Sequence, residues 1–514
     1  MDFLVLPPAL INDLLGRLDG ISFTHILAAS LFALYVCSSL RSYFGAKAPF
    51  AGYRSWFEPT FWLRIRFLSD PAPILNDGYR KNKNGMFIVR RMDADIWVLP
   101  KDYLDELRLL PNTILSNAHA QFKNIKGQYT YASVVLHSNL HTSVLQNQLT
   151  PKLAVYGERS KAEFDATFSQ DFPHRDGWHE VDIQNTFRTV VARMTGVTFV
   201  GHPACQNEKW LKLSVQYPLD TFQTGFTLRM FPTFTHPVLA RLLPSRYRIR
   251  SKLKQAQKIL EPLIREYQKK PKGAASSDGT LLAWMVENST GTEAEPAEMT
   301  NRLMVLTLAS IHTTALAMSY ALFDLCAHPE YFAPLREEIE DIHRTYPGDE
   351  FIHQGLSKFD KLDSFLTESQ RFHPAVLMAP QRLALKPITL KNGAHIPQGT
   401  RIGFPNNSIL MDPAITPNPE TFDAFRSYRM RQEPGEEQRH LWTSTDKNHL
   451  AFGHGKQACP GRHFAASEMK IVLSRLLRDY DFEFPPGKGR PRTFFLDENV
   501  FPDPAARIMM KRRA

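Results

Sequence analysis

The chain has 514 residues, 43% of them hydrophobic and 22% charged, a composition that excludes global disorder and supports one large domain or a few ordinary ones. Its formal charge is +10, but the basic residues are scattered and not gathered into a run, which argues against nucleic acid as a partner. Cys37, Cys205, Cys326 and Cys459 lie far apart, so there is no CxxC pair or zinc-finger spacing, and a reducing compartment is implied.

Taken in chain order, residues 1–20 are mixed in polarity and residues 21–40, "ISFTHILAASLFALYVCSSL", carry no Asp, Glu, Lys or Arg. Twenty such residues match the hydrocarbon thickness of a bilayer. Asp2, Asp13, Arg17 and Asp19 precede the stretch; Arg41, Lys47, Arg54, Arg64 and Arg66 follow it. The positive side is the cytosolic side. The expectation is a lumenal segment at 1–20, an uncleaved transmembrane anchor at 21–40, a Pro- and aromatic-rich linker at 41–67 and a cytosolic catalytic domain at 68–514.

"MFIVRRMDADIWVLP" (86–100) reads as two short strands around a turn, and the pattern is then mostly helical to about residue 345. A helix from Pro296 to Cys326 is apolar nearly all round, as expected of one running through the middle of a large core. Ser310, His312, Thr313 and Thr314 at its midpoint weigh against a second membrane span. Residues 383–404 read as short strands with turns at Asn392-Gly393 and Pro397-Gln398-Gly399, and helix resumes over 463–480. The fold class is mainly α with a smaller β portion.

Cys459 sits in "AFGHGKQACPGRHFA" (451–465). A thiolate can be a nucleophile, with His454 or His463 as base, or a ligand to zinc or haem iron; a buried structural cysteine is the bland alternative. Zinc would want three more ligands, and no other cysteine is near. An axial haem thiolate needs only one cysteine on a tight backbone.

The segment fits Phe-x-x-Gly-x-x-x-Cys-x-Gly through Phe452, Gly455, Cys459 and Gly461, with Gly453 in the first free slot. At this composition the match arises by chance in roughly one of 1,500 such chains. The sequence resembles the cytochrome P450 superfamily. The resemblance implies the P450 fold and a haem b with Cys459 as axial iron ligand, cradled by Phe452, Gly453, Gly455 and Gly461. It implies propionate contacts from Arg382 and His454. It also implies a structural triad of Glu368 and Arg371, in "FLTESQRFHP", with Arg426 from "FDAFR"; Arg429 is the alternative register.

In "LASIHTTALAM" the resemblance places Ala309 and Ser310 beside the oxygen site and gives Thr313 the proton-relaying hydroxyl. The family's acid is replaced here by His312, which is either a relay or a satisfied core histidine. The family's Trp-x-x-x-Arg propionate clamp is absent from 139–153, where His141 or Gln146 would substitute. Expected pocket walls are Leu377, Met378, Phe222, Phe226 and Val500.

The implied activity is O2-dependent oxidation of a lipophilic small molecule, with electrons from an NADPH-dependent flavoprotein reductase. Lys456, Arg462 and Lys470 are candidate contacts for that partner. The expected location is the endoplasmic reticulum membrane. Details of the motifs resemble filamentous-fungal members that tailor secondary metabolites, especially terpenoids. The alternatives are an O2-independent haem-thiolate isomerase or dehydratase, and a non-enzymatic membrane haem-binding protein.

Overall fold

A computed structural model describes residues 48–174, 176–271, 273–274 and 279–513. The expected lumenal segment and anchor (1–40) lie outside the described residues, as does the start of the linker. The rest of the linker docks on the body: Ala51 N–H donates to the Ile88 carbonyl at 2.9 Å, and Phe50 bridges Ile88. Its last third is helical.

Ten helices among the described residues have ten residues or more. They are α1 (Thr60–Ser69), α2 (Pro71–Lys81), α3 (Leu153–Asp171), α4 (Ile183–Phe199), α5 (Glu208–Arg229), α6 (Pro244–Lys269), α7 (Pro296–Ala327), α8 (Phe332–Thr345), α9 (Asp360–Phe372) and α10 (Arg462–Asp479). Local chemistry sets their ends. Asp182 caps α4 by accepting from the Asn185 N–H, and Asn207 caps α5 by accepting from Lys209 and Trp210. Pro296 starts α7, where its missing N–H costs nothing. His328-Pro329 and His373-Pro374 stop α7 and α9.

The 32-residue α7 is long and apolar enough to cross a membrane, yet most of its apolar window is buried inside the protein. It packs against α4, α5, α6, α9 and α10. This is the central helix expected from its all-round apolar sequence.

The strands are β1 (Phe87–Arg90), β2 (Asp95–Val98), β3 (Leu115–Ser116), β4 (Trp178–Val181), β5 (Arg382–Ala384), β6 (Ile388–Thr389), β7 (His395–Ile396), β8 (Arg401–Gly403), β9 (Tyr480–Glu483), β10 (Thr493–Leu496), β11 (Asn499–Pro502) and β12 (Ile508–Arg512). The main sheet has the order β1-β2-β8-β5-β3, with only β2 and β8 parallel. Gly393 and Gly399 have φ of 82° and 83°, as the turns between the short strands require. β12 joins β4 to β9, tying residue 510 to residue 179. Neither β3 nor β4 stands out in the sequence, because each is too short or too exposed for an alternating pattern to register.

A buried ion cluster joins five distant pieces of chain. Arg91, after β1, contacts Asp93 at 2.6 Å and Glu498 at 2.8 Å. Arg229, at the end of α5, contacts Asp497 and reaches Glu498 at 3.4 Å. Lys126 and Arg401 complete the shell around Asp93 at 2.7 and 3.6 Å. Burial would raise the Glu498 carboxyl, but Arg91 and Arg229 more than offset it and hold it down to about 2. Removing one partner of such a cluster strands buried charge, whereas the intact cluster adds little net stability. Glu498→Gln is therefore expected to cost about 3–5 kcal/mol, read as a lower urea midpoint.

Glu468 on α10 has the opposite surroundings. It is buried, its partner is the Thr195 hydroxyl at 3.1 Å, and burial pushes its carboxyl up to about 8. The folded state then keeps a proton that the unfolded chain releases above the ordinary carboxyl range. This contribution to stability is present at acid pH and is lost as pH rises towards 8, by up to about 1.4 kcal/mol per pH unit. Urea midpoints of Glu468→Gln, measured from pH 5 to 8, should lack this decline; parallel curves for the two proteins would count against a neutral Glu468.

Candidate active site

The Cys459 loop is fixed by its own backbone. The Cys459 N–H donates to the Phe452 carbonyl at 2.8 Å, and the Ala458 N–H donates to the Gly455 carbonyl at 3.0 Å. Gly453 and Gly455 have φ of 71° and 76°, in the region that L side chains avoid. At Gly455 a Cβ would also approach the Arg108 Cβ to 2.7 Å, so this position has two reasons to be glycine. Phe452 is half-buried and meets Trp442 edge to face at 4.8 Å, which anchors the loop to the core.

Cys459 is exposed, yet protein surrounds its thiol closely enough for burial to push its pKa up. A side chain both accessible and enclosed lies on the wall of an internal cleft. The N–H groups of Gly461 and Arg462, at the start of α10, and the Arg462 charge act in the opposite direction and favour the thiolate. A Cβ built on Gly461, two residues after the cysteine, would meet nothing within 4 Å, so the chain there has open space beside it.

The same signature appears on α7. Ala309 and Thr313, four residues apart, are exposed in the middle of a helix whose other faces are largely buried. They form an accessible stripe, and α10, which begins behind Cys459, packs against this helix. The Thr313 hydroxyl donates to the Ala309 carbonyl at 2.7 Å and Ser310 donates to Leu306 at 2.9 Å. Each oxygen retains lone pairs for a further partner. His312 points elsewhere. Its Nε2–H donates to the Val215 carbonyl on α5 at 2.8 Å, and burial pushes its pKa down to about 4.

Arg382 is buried, and burial alone lowers its pKa to about 10. Its guanidinium donates to the carbonyls of Gln381 at 2.8 Å and Gln457 at 3.4 Å. No carboxylate pairs with it among the described residues. A buried cation without an anion is a fitting partner for a ligand carboxylate. His454 is half-buried, 3.3 Å from the Thr445 hydroxyl, with its pKa lowered by burial and then by Arg108. Taken together, a lone accessible thiol, backbone N–H groups at the sulfur, open space over Gly461 and an uncompensated Arg382 fit a thiolate-ligated haem with acidic side groups.

Behind the loop, Glu368 and Arg371 form a buried two-pronged pair at 2.7 and 2.9 Å. Arg426 approaches Glu368 to 3.6 Å, and the Asp423 N–H donates to it at 2.9 Å. Arg429 instead pairs with Asp423 at the surface, so the structure brings Arg426 and not Arg429 to Glu368.

The other expected positions fall into two groups, buried and accessible. Leu377, Met378 and Val500 are 4%, 0% and 2% exposed and belong to the packed core around the main sheet, not to an accessible wall. Met378 fills the space beside Gly403, where a Cβ would come within 2.8 Å of it. Ala375 and Val376, two residues earlier, retain accessible surface, and Val376 bridges Asn499. Phe222 and Phe226 are half-buried and stacked at 5.8 Å, with Phe501 edge-on to Phe226 at 6.1 Å. His141 accepts from Arg302 of α7 at 3.0 Å, and Gln146 is exposed. Lys470 is buried against Asp363 at 2.7 Å and does not reach the surface, whereas Lys456 does.

Comparison with known proteins agrees with this geometry. The family model "Cytochrome P450" matches residues 134–510. The chain is 41% identical to "Cytochrome P450 monooxygenase AN1598" of Emericella nidulans, over 94% of this chain and 91% of that one. It is 38% identical to "Ent-kaurene oxidase P450-4" of Gibberella fujikuroi, over 95% and 98% of the two chains. A retinoic acid-bound cyanobacterial structure, CYP120A1, shares the fold with a TM-score of 0.64 at 18% identity, covering 91% of this chain and 99% of its own. The chain belongs to the cytochrome P450 family, and its activity is that of the family's monooxygenases.

Proposed function

We propose that this monooxygenase oxidises a C–H bond of a lipophilic, terpenoid-class molecule in fungal secondary metabolism, at the cleft between Cys459 and the Ala309–Thr313 stripe. The observation that carries the reading is a lone accessible thiol closely surrounded by protein, held by a loop that leaves the space over Gly461 open. The terpenoid class is supported by the relative named ent-kaurene oxidase and by the apolar Phe222, Phe226 and Phe501 group.

The chemistry a bound haem would supply is reductive activation of O2, which electron donation from a thiolate ligand favours. Cys459 would hold the iron, and Arg382 an acidic side group. The Gly461 and Arg462 N–H groups temper the sulfur charge. Thr313 is the group that holds and passes a proton in the cleft, because its hydroxyl lies on the accessible face. His312 acts as an anchor between α7 and α5; its imidazole is neutral and committed to the Val215 carbonyl. Ser310, bonded back into the helix, shapes that turn.

Electrons come from an NADPH-dependent flavoprotein reductase that meets the exposed Lys456 side of the Cys459 loop. The endoplasmic reticulum membrane is the proposed location. Trp56, Phe57, Phe61 and Trp62 are 57–81% exposed at and before α1, and Phe234 and Leu242 are 84% and 71% exposed after α5. Such aromatics sit at bilayer interfaces.

Cys459→Ala should abolish the red-shifted thiolate band of the reduced carbon-monoxide complex together with turnover; a normal band would refute the ligand assignment. Thr313→Ala should lower coupled product formation roughly a hundredfold while NADPH consumption continues. Label from 18O2 should appear in the product, and turnover without reductant or label would favour the isomerase or dehydratase alternative.

A further inference from the structure

The turn after α4 carries "GHPACQ" (201–206), which the oxidation chemistry does not use. It sets His202 and Cys205 three residues apart in a tight bend closed by the Cys205 N–H donating to the Gly201 carbonyl at 2.9 Å. Gly201 has φ of 70°, and a Cβ there would come within 2.8 Å of Thr280. The bend is thus fixed by backbone and packing before any side chain is considered.

Glu163 of α3 faces this bend. Its side chain is 4% exposed, and His202 Nε2 lies 3.5 Å from its Oε2. Among the described residues, no N–H or O–H group donates to that carboxylate within hydrogen-bond distance, and no guanidinium or ammonium pairs with it. Cys205 is 1% exposed, and its Sγ lies 3.3 Å from His202 Nδ1. One ligand atom from each of the three residues lies within 4.8 Å of the other two. Around a tetrahedral ion with metal–nitrogen and metal–sulfur bonds of about 2.0 and 2.3 Å, donor atoms sit about 3.5 Å apart. The half-exposed imidazole would need to turn only by the remaining distance to offer one nitrogen.

A cavity of about 400 Å³ adjoins the cluster, lined in part by His202, Val197, Tyr267 and Thr280. It gives an ion an entry path and room for solvent. Arg159 also lines it and donates to the Gly279 carbonyl at 2.8 Å.

We propose that Glu163, His202 and Cys205 form a binding site for a borderline-soft divalent cation of the zinc class, with solvent from the adjoining cavity as the remaining ligand. The donor set decides the ion: one sulfur, one imidazole and one carboxylate suit zinc and disfavour magnesium or calcium. Binding exchanges the Cys205 thiol proton for the metal, and that proton leaves to solvent; no electron moves. The ion would tie α3 to the turn after α4 and offset the buried carboxylate. Those elements carry none of the residues assigned to oxidation, so the site stands apart from the haem chemistry.

The test uses the untagged, haem-loaded full chain dialysed against zinc salt. Elemental analysis is expected to find one equivalent retained per chain. X-ray absorption at the zinc edge should show one sulfur neighbour at about 2.3 Å. His202→Ala, Glu163→Gln and Cys205→Ser should each weaken retention at least about tenfold while the thiolate carbon-monoxide band persists. If a buried substitution costs that band through misfolding, His202→Ala decides, because its side chain is half-exposed. Retention no greater than in the three variants, or a zinc edge without sulfur, overturns the proposal.

Discussion

The structure depends on presenting one thiol to an internal cleft without losing control of it. Sulfur on a flexible loop would wander or oxidise; sulfur packed in the core would be inert. The chain avoids both outcomes with backbone. The Cys459 N–H is committed to the Phe452 carbonyl, two left-handed glycines bend the loop back on itself, and α10 starts directly behind the sulfur. The N–H groups that a helix leaves unpaired at its start become the donors to the thiolate. No charged side chain is needed close to the reacting centre except Arg462, whose guanidinium is itself held by the Thr443 and Cys459 carbonyls at 3.1 and 2.9 Å.

The surrounding electrostatics follow from the same requirement. Buried charges that hold the fold are matched within the protein: Glu368 with Arg371 and Arg426 behind the loop, and Arg91, Arg229, Asp93, Asp497 and Glu498 joining α5 to the β10–β11 turn. Glu468 resolves its burial in another way, by keeping its proton. Arg382 is different. It is as buried as the matched groups but bonded only to carbonyls, so its charge remains for something the chain does not itself provide. That contrast supports the proposed role of Arg382 as the partner of a ligand carboxylate.

How legible this was in the sequence varied with how local each signal is. The long apolar helix, the β1–β2 hairpin, the turns at Gly393 and Gly399 and the cysteine loop are written in contiguous residues, and each lies where the pattern indicates. Glu368, Arg371 and Arg426 are a non-local set, and only the family resemblance singled them out. Within the stretch 375–380 the sequence did not say which side chains are accessible: Leu377 and Met378 are packed in the core, while Ala375 and Val376 retain accessible surface. Which residues of a short irregular segment face a cleft depends on its pairing with β11, and no periodicity encodes that. The ion cluster was equally hidden, since its members come from five places in the chain and each alone resembles an ordinary surface charge.

His312 shows how a departure from a family pattern can be absorbed. A side chain at this point of α7 can turn towards the cleft or towards α5. The imidazole takes the second course, because the Val215 carbonyl offers a partner for its N–H and the apolar surroundings make a charged ring expensive. A histidine with its pKa near 4 carries no proton to give at neutral pH, and its N–H is already engaged. The proposed proton handling on this helix is therefore assigned to the Thr313 hydroxyl and to solvent at its accessible face, not to the imidazole. The replacement removes a charge from the cleft and adds a tether between the central helix and α5. Because α5 also bears Phe222, Phe226 and, at its end, Arg229 of the ion cluster, the helix is pinned at Val215 and at its C-terminal end, with the apolar ring group between the two pins.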